Sequence, residues 1–182
     1  MASAIAPHID RPVEIFDRED EWNDLIDFAR MDGTKPQIGV VYGRRRQGKS
    51  FLLSHLARAA GGFRIQALEE TRGAALGSFY RAVTSWTGQT TLADSHYRDW
   101  PTAIRELCTV ANGRLIVVDE LPYLLEDSKE LPSVIQSAYD QAKEGQHPTF
   151  RMILCGSAIS VILFIIVLSI SLIQRWLTRE KR

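Results

Sequence analysis

An α/β fold in three layers, with helices on both faces of a parallel sheet, is what this sequence predicts. Three observations predict it. Short apolar runs alternate along the chain with longer segments of helical periodicity. The run Leu115-Ile116-Val117-Val118 is apolar at every position, the pattern of a strand covered on both faces. A glycine-bearing loop joins the first apolar run directly to a helix.

The elements follow in order. Residues 1–12 are expected to form a flexible arm. Residues 18–31 read as a helix, with Trp22, Leu25, Ile26 and Phe28 on or near one face. A loop over 31–36 leads into a first strand over 37–42. The next helix, 49–60, is closed by Gly61-Gly62. A second strand covers 63–68. Residues 71–86 read as helical despite Gly73 and Gly77, and 88–95 as a polar loop. The helix over 100–111 carries Pro101 in its first turn, where a missing N–H does no harm. Asn112-Gly113 turns the chain into a third strand beginning at Leu115. A helix over 131–143, with Pro132 early and Gly145 after it, precedes a fourth strand over 150–155. There is no internal repeat.

The chain has 182 residues, enough for one domain with a sizeable core. Its 22 basic and 22 acidic side chains balance, so net charge does not indicate a nucleic-acid partner. Two cysteines, Cys108 and Cys155, do not suggest a disulfide framework, and no Cys or His cluster has the spacing of a zinc site. Residues 1–10 lack the basic start and apolar stretch of a signal peptide. The chemistry is therefore expected on the cytoplasmic side.

The loop reads Gly43-Arg44-Arg45-Arg46-Gln47-Gly48-Lys49-Ser50 and fits G-x-x-x-x-G-K-[ST]. Glycines let the backbone turn its N–H groups inward toward phosphate oxygens, and the helix N-terminus adds partial positive charge. Lys49 would reach the β- and γ-phosphates, and the Ser50 hydroxyl would take one position on Mg²⁺. Asp119 and Glu120 end the third strand. Asp119 would hold Mg²⁺ through a water, and Glu120 would polarise the attacking water. The competing reading is a strand that ends in solvated acids at a turn marked by Pro122. Ser157, where the fourth strand emerges, is either a contact to the γ-phosphate or water, or a small residue at a tight exit.

Together these residues resemble the archaeal-type ATPases of the STAND/AAA+ group of P-loop proteins. The resemblance rests on Ile15-Phe16-Asp17-Arg18-Glu19, on Tyr42 with the loop, on Val118-Asp119-Glu120-Leu121-Pro122-Tyr123-Leu124, and on Cys155-Gly156-Ser157-Ala158. Asp17 stands where that first box usually has glycine. It implies ATP as the nucleotide, an ASCE/AAA+-like P-loop NTPase domain over 13–157, and the strand order 5-1-4-3-2. It covers about residues 12–160 and ends before the fifth strand and output domains usual in that group. The strand bearing the loop would then lie at the sheet edge. An arginine finger is not identifiable; a homo-oligomer or another protein could supply one.

From Met152 to Gln174 there is no charged residue, and 158–182 is expected to be a hydrophobic helix with a basic tail. Three readings stay open: a membrane-inserted helix over 158–174, a helix packed on the domain or a partner, and a non-native tail. Residues 158–173 as helix would span roughly 24 Å, short of a bilayer core. For the whole chain the leading reading is Mg²⁺-dependent ATP binding with hydrolysis. The alternatives are a nucleotide-dependent switch that hydrolyses little, a remnant without activity, and a kinase using the same loop.

Overall fold

β3 (Leu115–Asp119) is buried at every position, which explains its unbroken apolar run. Ile116 and Val118 face one core and Leu115 and Val117 the other, so alternation along the strand feeds both layers. The structure is a computed structural model that describes residues 11–15, 17–31, 33–44, 46–89 and 96–157. Residues 1–10 of the arm expected over 1–12, Arg45, residues 90–95 of the expected polar loop, and the hydrophobic helix and basic tail expected over 158–182 lie outside the described residues. Among the described residues no helix is long and apolar enough to cross a membrane.

The four described strands are β1 (Gln37–Gly43), β2 (Phe63–Gln66), β3 and β4 (Arg151–Ser157). They form an all-parallel sheet in the order β1-β4-β3-β2. This is the order the resemblance implies for strands one to four. β1 ends the sheet and pairs with β4 alone among the described strands, which leaves Tyr42 64% exposed.

Helices cover both faces. α1 (Glu19–Arg30) and α2 (Lys49–Ala59) pack Trp22, Leu25, Ile26, Leu52, Leu53 and Leu56 against Val117, Ile153 and Cys155. α3 (Arg72–Thr87), α4 (Trp100–Ala111) and α6 (Leu131–Lys143) enclose the other core around Phe63, Phe79 and Trp100. Each large apolar side chain buried this way stabilises the fold by about 1.5–3 kcal/mol relative to exposure. α4 starts where the sequence says it should: the Asp99 carboxylate accepts the Thr102 N–H at 2.9 Å, and Pro101 occupies the first turn.

One helix departs from expectation. α5 (Leu121–Asp127) occupies the stretch in which Pro122 suggested a turn. Proline is tolerated in a first turn, and burial of Leu121 and Leu124 holds the short helix to the sheet. Asp17, at the position where the resemblance expects glycine, has φ 56, the left-handed backbone that glycine adopts most readily. Arg151 closes the opposite end of the sheet from the loop. Its guanidinium donates to the carbonyls of Gly113, Ala29 and Met31.

Candidate functional site

The loop between β1 and α2 is built by backbone conformation first. Gly48 has φ 73 and occupies the N-cap of α2, and Arg46 has φ 63. Gln47 folds back so that its Oε1 accepts the Arg44 N–H at 2.9 Å. A Cβ on Gly43 would lie 2.8 Å from that same oxygen, so the brace requires glycine at the loop entrance. Lys49 Nζ donates to the carbonyls of Gly43 at 3.0 Å and Arg44 at 2.6 Å. The ammonium is thereby held in the mouth of the loop. Ser50 is half-buried in the first turn of α2, which contains no acidic residue to offset the helix N-terminus.

At the end of β3 the Asp119 carboxylate is wholly buried. Its Oδ1 accepts the Glu120 N–H at 3.0 Å, and its Oδ2 accepts Arg64 Nη2 at 2.8 Å. Asp119 is therefore not the solvated acid that a turn at Pro122 would make it. Glu120 is half-buried, with φ 54 at the N-cap of α5. The Cys155 thiol on β4 is pushed up to about 12, first by burial and then by the adjacent Asp119 carboxylate; Glu120 acts in the same direction and Lys49 against it. One buried atom thus lies within electrostatic reach of Lys49, Asp119 and Glu120 together.

The sheet gathers these groups at one end. The loop leaves β1, Asp119 and Glu120 leave β3, and Ser157 ends β4 in register with Gly43. All are at the carboxyl ends of parallel strands, where open α/β sheets present ligand sites. Arg44, Arg46 and Gln47 are exposed along the loop. Arg45 and the side chain of Ser157 lie outside what is described. Among the described residues no cluster of three or more His, Cys, Asp or Glu could hold a metal ion. The two groups the motif offers a metal, the Ser50 hydroxyl and the Asp119 carboxylate, are hard oxygen donors too few to enclose an ion. That suits Mg²⁺, which keeps waters and takes phosphate oxygens rather than filling an all-protein cage.

Two features escaped the sequence. A cavity of about 440 Å³ adjoins Lys49 and Gln47 and runs along β1 between α1 and α2. Its walls combine Leu25, Phe28 and Leu52 with the charged Arg18, Glu21 and Asp24. It does not include Asp119, so it extends the loop's side of the site rather than the carboxylate's. The other feature is Arg64. Its only trace in the sequence is a charge alternating with Phe63 and Ile65 in a strand expected to be covered.

No family model matches the chain, and no curated protein matches it. Among solved structures it is similar to a Walker-type ATPase of Pyrococcus abyssi, at 22% identity and a TM-score of 0.48. The match covers 78% of this chain and 45% of that one, so this chain corresponds to about half of that structure's length.

Proposed function

We propose that this chain binds ATP with Mg²⁺ and hydrolyses it. The observation that carries the reading is the Lys49 ammonium, held by the carbonyls of Gly43 and Arg44 at the mouth of a loop that opens onto the N-terminus of α2. A cation and a helix N-terminus aimed at one spot favour a polyanion. In this reading the N–H groups of residues 43–50 cradle the phosphates, and exchange of Lys49 from loop carbonyls to phosphate oxygens marks binding. Ser50 and Asp119 would hold Mg²⁺, which supplies charge neutralisation at the phosphates when bound. Glu120 orients the attacking water and accepts its proton, and Ser157 lies close to the transferred phosphate. The cavity along β1, continuous with Lys49, would receive the base and sugar: apolar side chains for the ring, carboxylates for the hydroxyls. The domain would span 13–157 and work on the cytoplasmic side.

The test is equilibrium binding and steady-state hydrolysis of ATP with Mg²⁺ for the wild type, Lys49→Ala and Glu120→Gln. Lys49→Ala is expected to lose binding. Glu120→Gln is expected to keep binding and lose about 100-fold or more in turnover. A folded wild type that binds no ATP refutes the reading. Equal, measurable turnover in Glu120→Gln removes Glu120 from the catalytic role, and a wild type that binds ATP without turning it over leaves a nucleotide-dependent switch.

A further inference from the structure

We infer that Arg64 sets the magnesium dependence of nucleotide binding, by holding the Asp119 carboxylate and releasing it when Mg²⁺ and nucleotide bind together. The inference rests on the nucleotide reading above and adds a control to the same site.

The geometry starts in the sheet. β2 and β3 pair in parallel with Ile65 opposite Val118 and Gln66 opposite Asp119. Phe63 and Ile65 enter the core on one face, which leaves Arg64 and Gln66 together on the other. From there Arg64 reaches across to Asp119 Oδ2 at 2.8 Å. The carboxylate is wholly buried and the arginine side chain only 24% exposed. A buried carboxylate without a counter-charge is strongly destabilising, so Asp119 needs a cation beside it.

The contact is nonetheless built to be exchanged. It is made through one nitrogen rather than the two-pronged fork that gives Arg–carboxylate pairs their strength. Arg64 Nε is buried with no hydrogen-bond partner, so the guanidinium is not locked in place from its other edge. A second acceptor already stands beside it: Gln66 Oε1 lies 3.3 Å from the same Nη2. Both Asp119 oxygens are already engaged, Oδ1 by the Glu120 N–H and Oδ2 by Arg64. A donor arriving from the metal side shares the carboxylate with Arg64 or takes its place. Two extra positive charges nearby also repel the guanidinium. A contact surrendered when metal and nucleotide bind weakens metal-dependent binding by what it contributes.

The experiment measures ADP binding by the full chain, wild type and Arg64→Gln, in EDTA and across a Mg²⁺ titration. ADP avoids any contribution from turnover. Affinity in EDTA is expected to be the same for both proteins, while the half-saturating Mg²⁺ falls about tenfold in Arg64→Gln. Arg64→Lys, which keeps a cation, is expected to stay near the wild type. An unchanged or raised Mg²⁺ requirement in Arg64→Gln overturns the inference and leaves the nucleotide reading intact. Absence of ADP binding by the wild type with and without Mg²⁺ takes both down. Should Arg64→Gln fail to fold, the side-chain NMR signal of Arg64 in the wild type decides. It is expected to move with Mg²⁺ and ADP but not with ADP in EDTA, and a signal that stays in place overturns the inference.

Discussion

Replacing Arg151 with methionine should unfasten the end of the sheet that lies farthest from the phosphate loop. The Arg151 side chain is half-buried and gives its N–H groups to three carbonyls. Nη2 and Nε reach Gly113 at 2.6 and 3.0 Å, and Nη1 reaches Met31 at 3.1 Å as well as Ala29. It therefore joins the C-terminal end of α1 to the turn before β3. Burial lowers its pKa, but an arginine remains charged throughout the working range. Hydrogen bonds from a charged donor contribute about 1.5–3 kcal/mol each when well buried. Here the carbonyls regain water on mutation and the cation's own desolvation is relieved, so the expected net loss is about 2–3 kcal/mol in total. For a chain of this size that lowers the melting temperature by about 4–12 °C. Urea unfolding of wild type and Arg151→Met measures it, and ATP affinity of the folded fraction should not change. A loss below about 0.5 kcal/mol would show that water replaces the clamp at no cost and would refute the reasoning. A change in ATP affinity at equal folding would refute its separation from the site.

Three other outcomes are expected. Asp17→Gly should stabilise the fold by about 0.5 kcal/mol and Asp17→Ala should destabilise it, because φ 56 suits glycine and strains alanine; urea titrations that rank the two the other way count against it. The Asp99 carboxyl ionises below its usual range because it accepts the Thr102 N–H at the N-terminus of α4. Its stabilisation is therefore fully present above the ordinary carboxylate pKa and lost as pH falls through the lowered one, and Asp99→Asn should flatten that acid limb in pH-dependent unfolding. Burial pushes both thiols, Cys108 and Cys155, up to about 12, so neither should react with a disulfide reagent at mildly alkaline pH until denaturant is added. Rapid modification of the native protein would show that one of them is reachable.

Much of the architecture was legible because it is local. The all-apolar run of β3 and the start of α4 marked by Pro101 sit within a few residues of their causes. So do the glycines of the loop, whose backbone angles suit the motif. α5 was not legible, because seven residues beginning Leu121-Pro122 are too few to establish a helical period. Its stability comes from burial against the sheet. Arg64 could not be assigned to Asp119 for a different reason. The two are 55 residues apart, and only the pairing of β2 with β3 brings them together. The same holds for Arg151, whose partners lie 38 and about 120 residues away. Long side chains that bridge distant segments are decided by register, and register is a property of the assembled sheet.

β4 stands between the strand that carries the phosphate loop and the strand that carries Asp119. Neighbouring strands lie about 4.8 Å apart, so two intervals place β1 and β3 about 9–10 Å from each other. The sheet therefore acts as a gauge. The gap between the β1–α2 loop and the Asp119 carboxylate is fixed by the repeat of backbone hydrogen bonds, and no side chain has to measure it. The carboxyl end of β4 lies across that gap, and in the nucleotide reading it is where a terminal phosphate and a water would have to fit. Mutations there would alter the fit of the reacting groups while the walls stayed where the backbone put them.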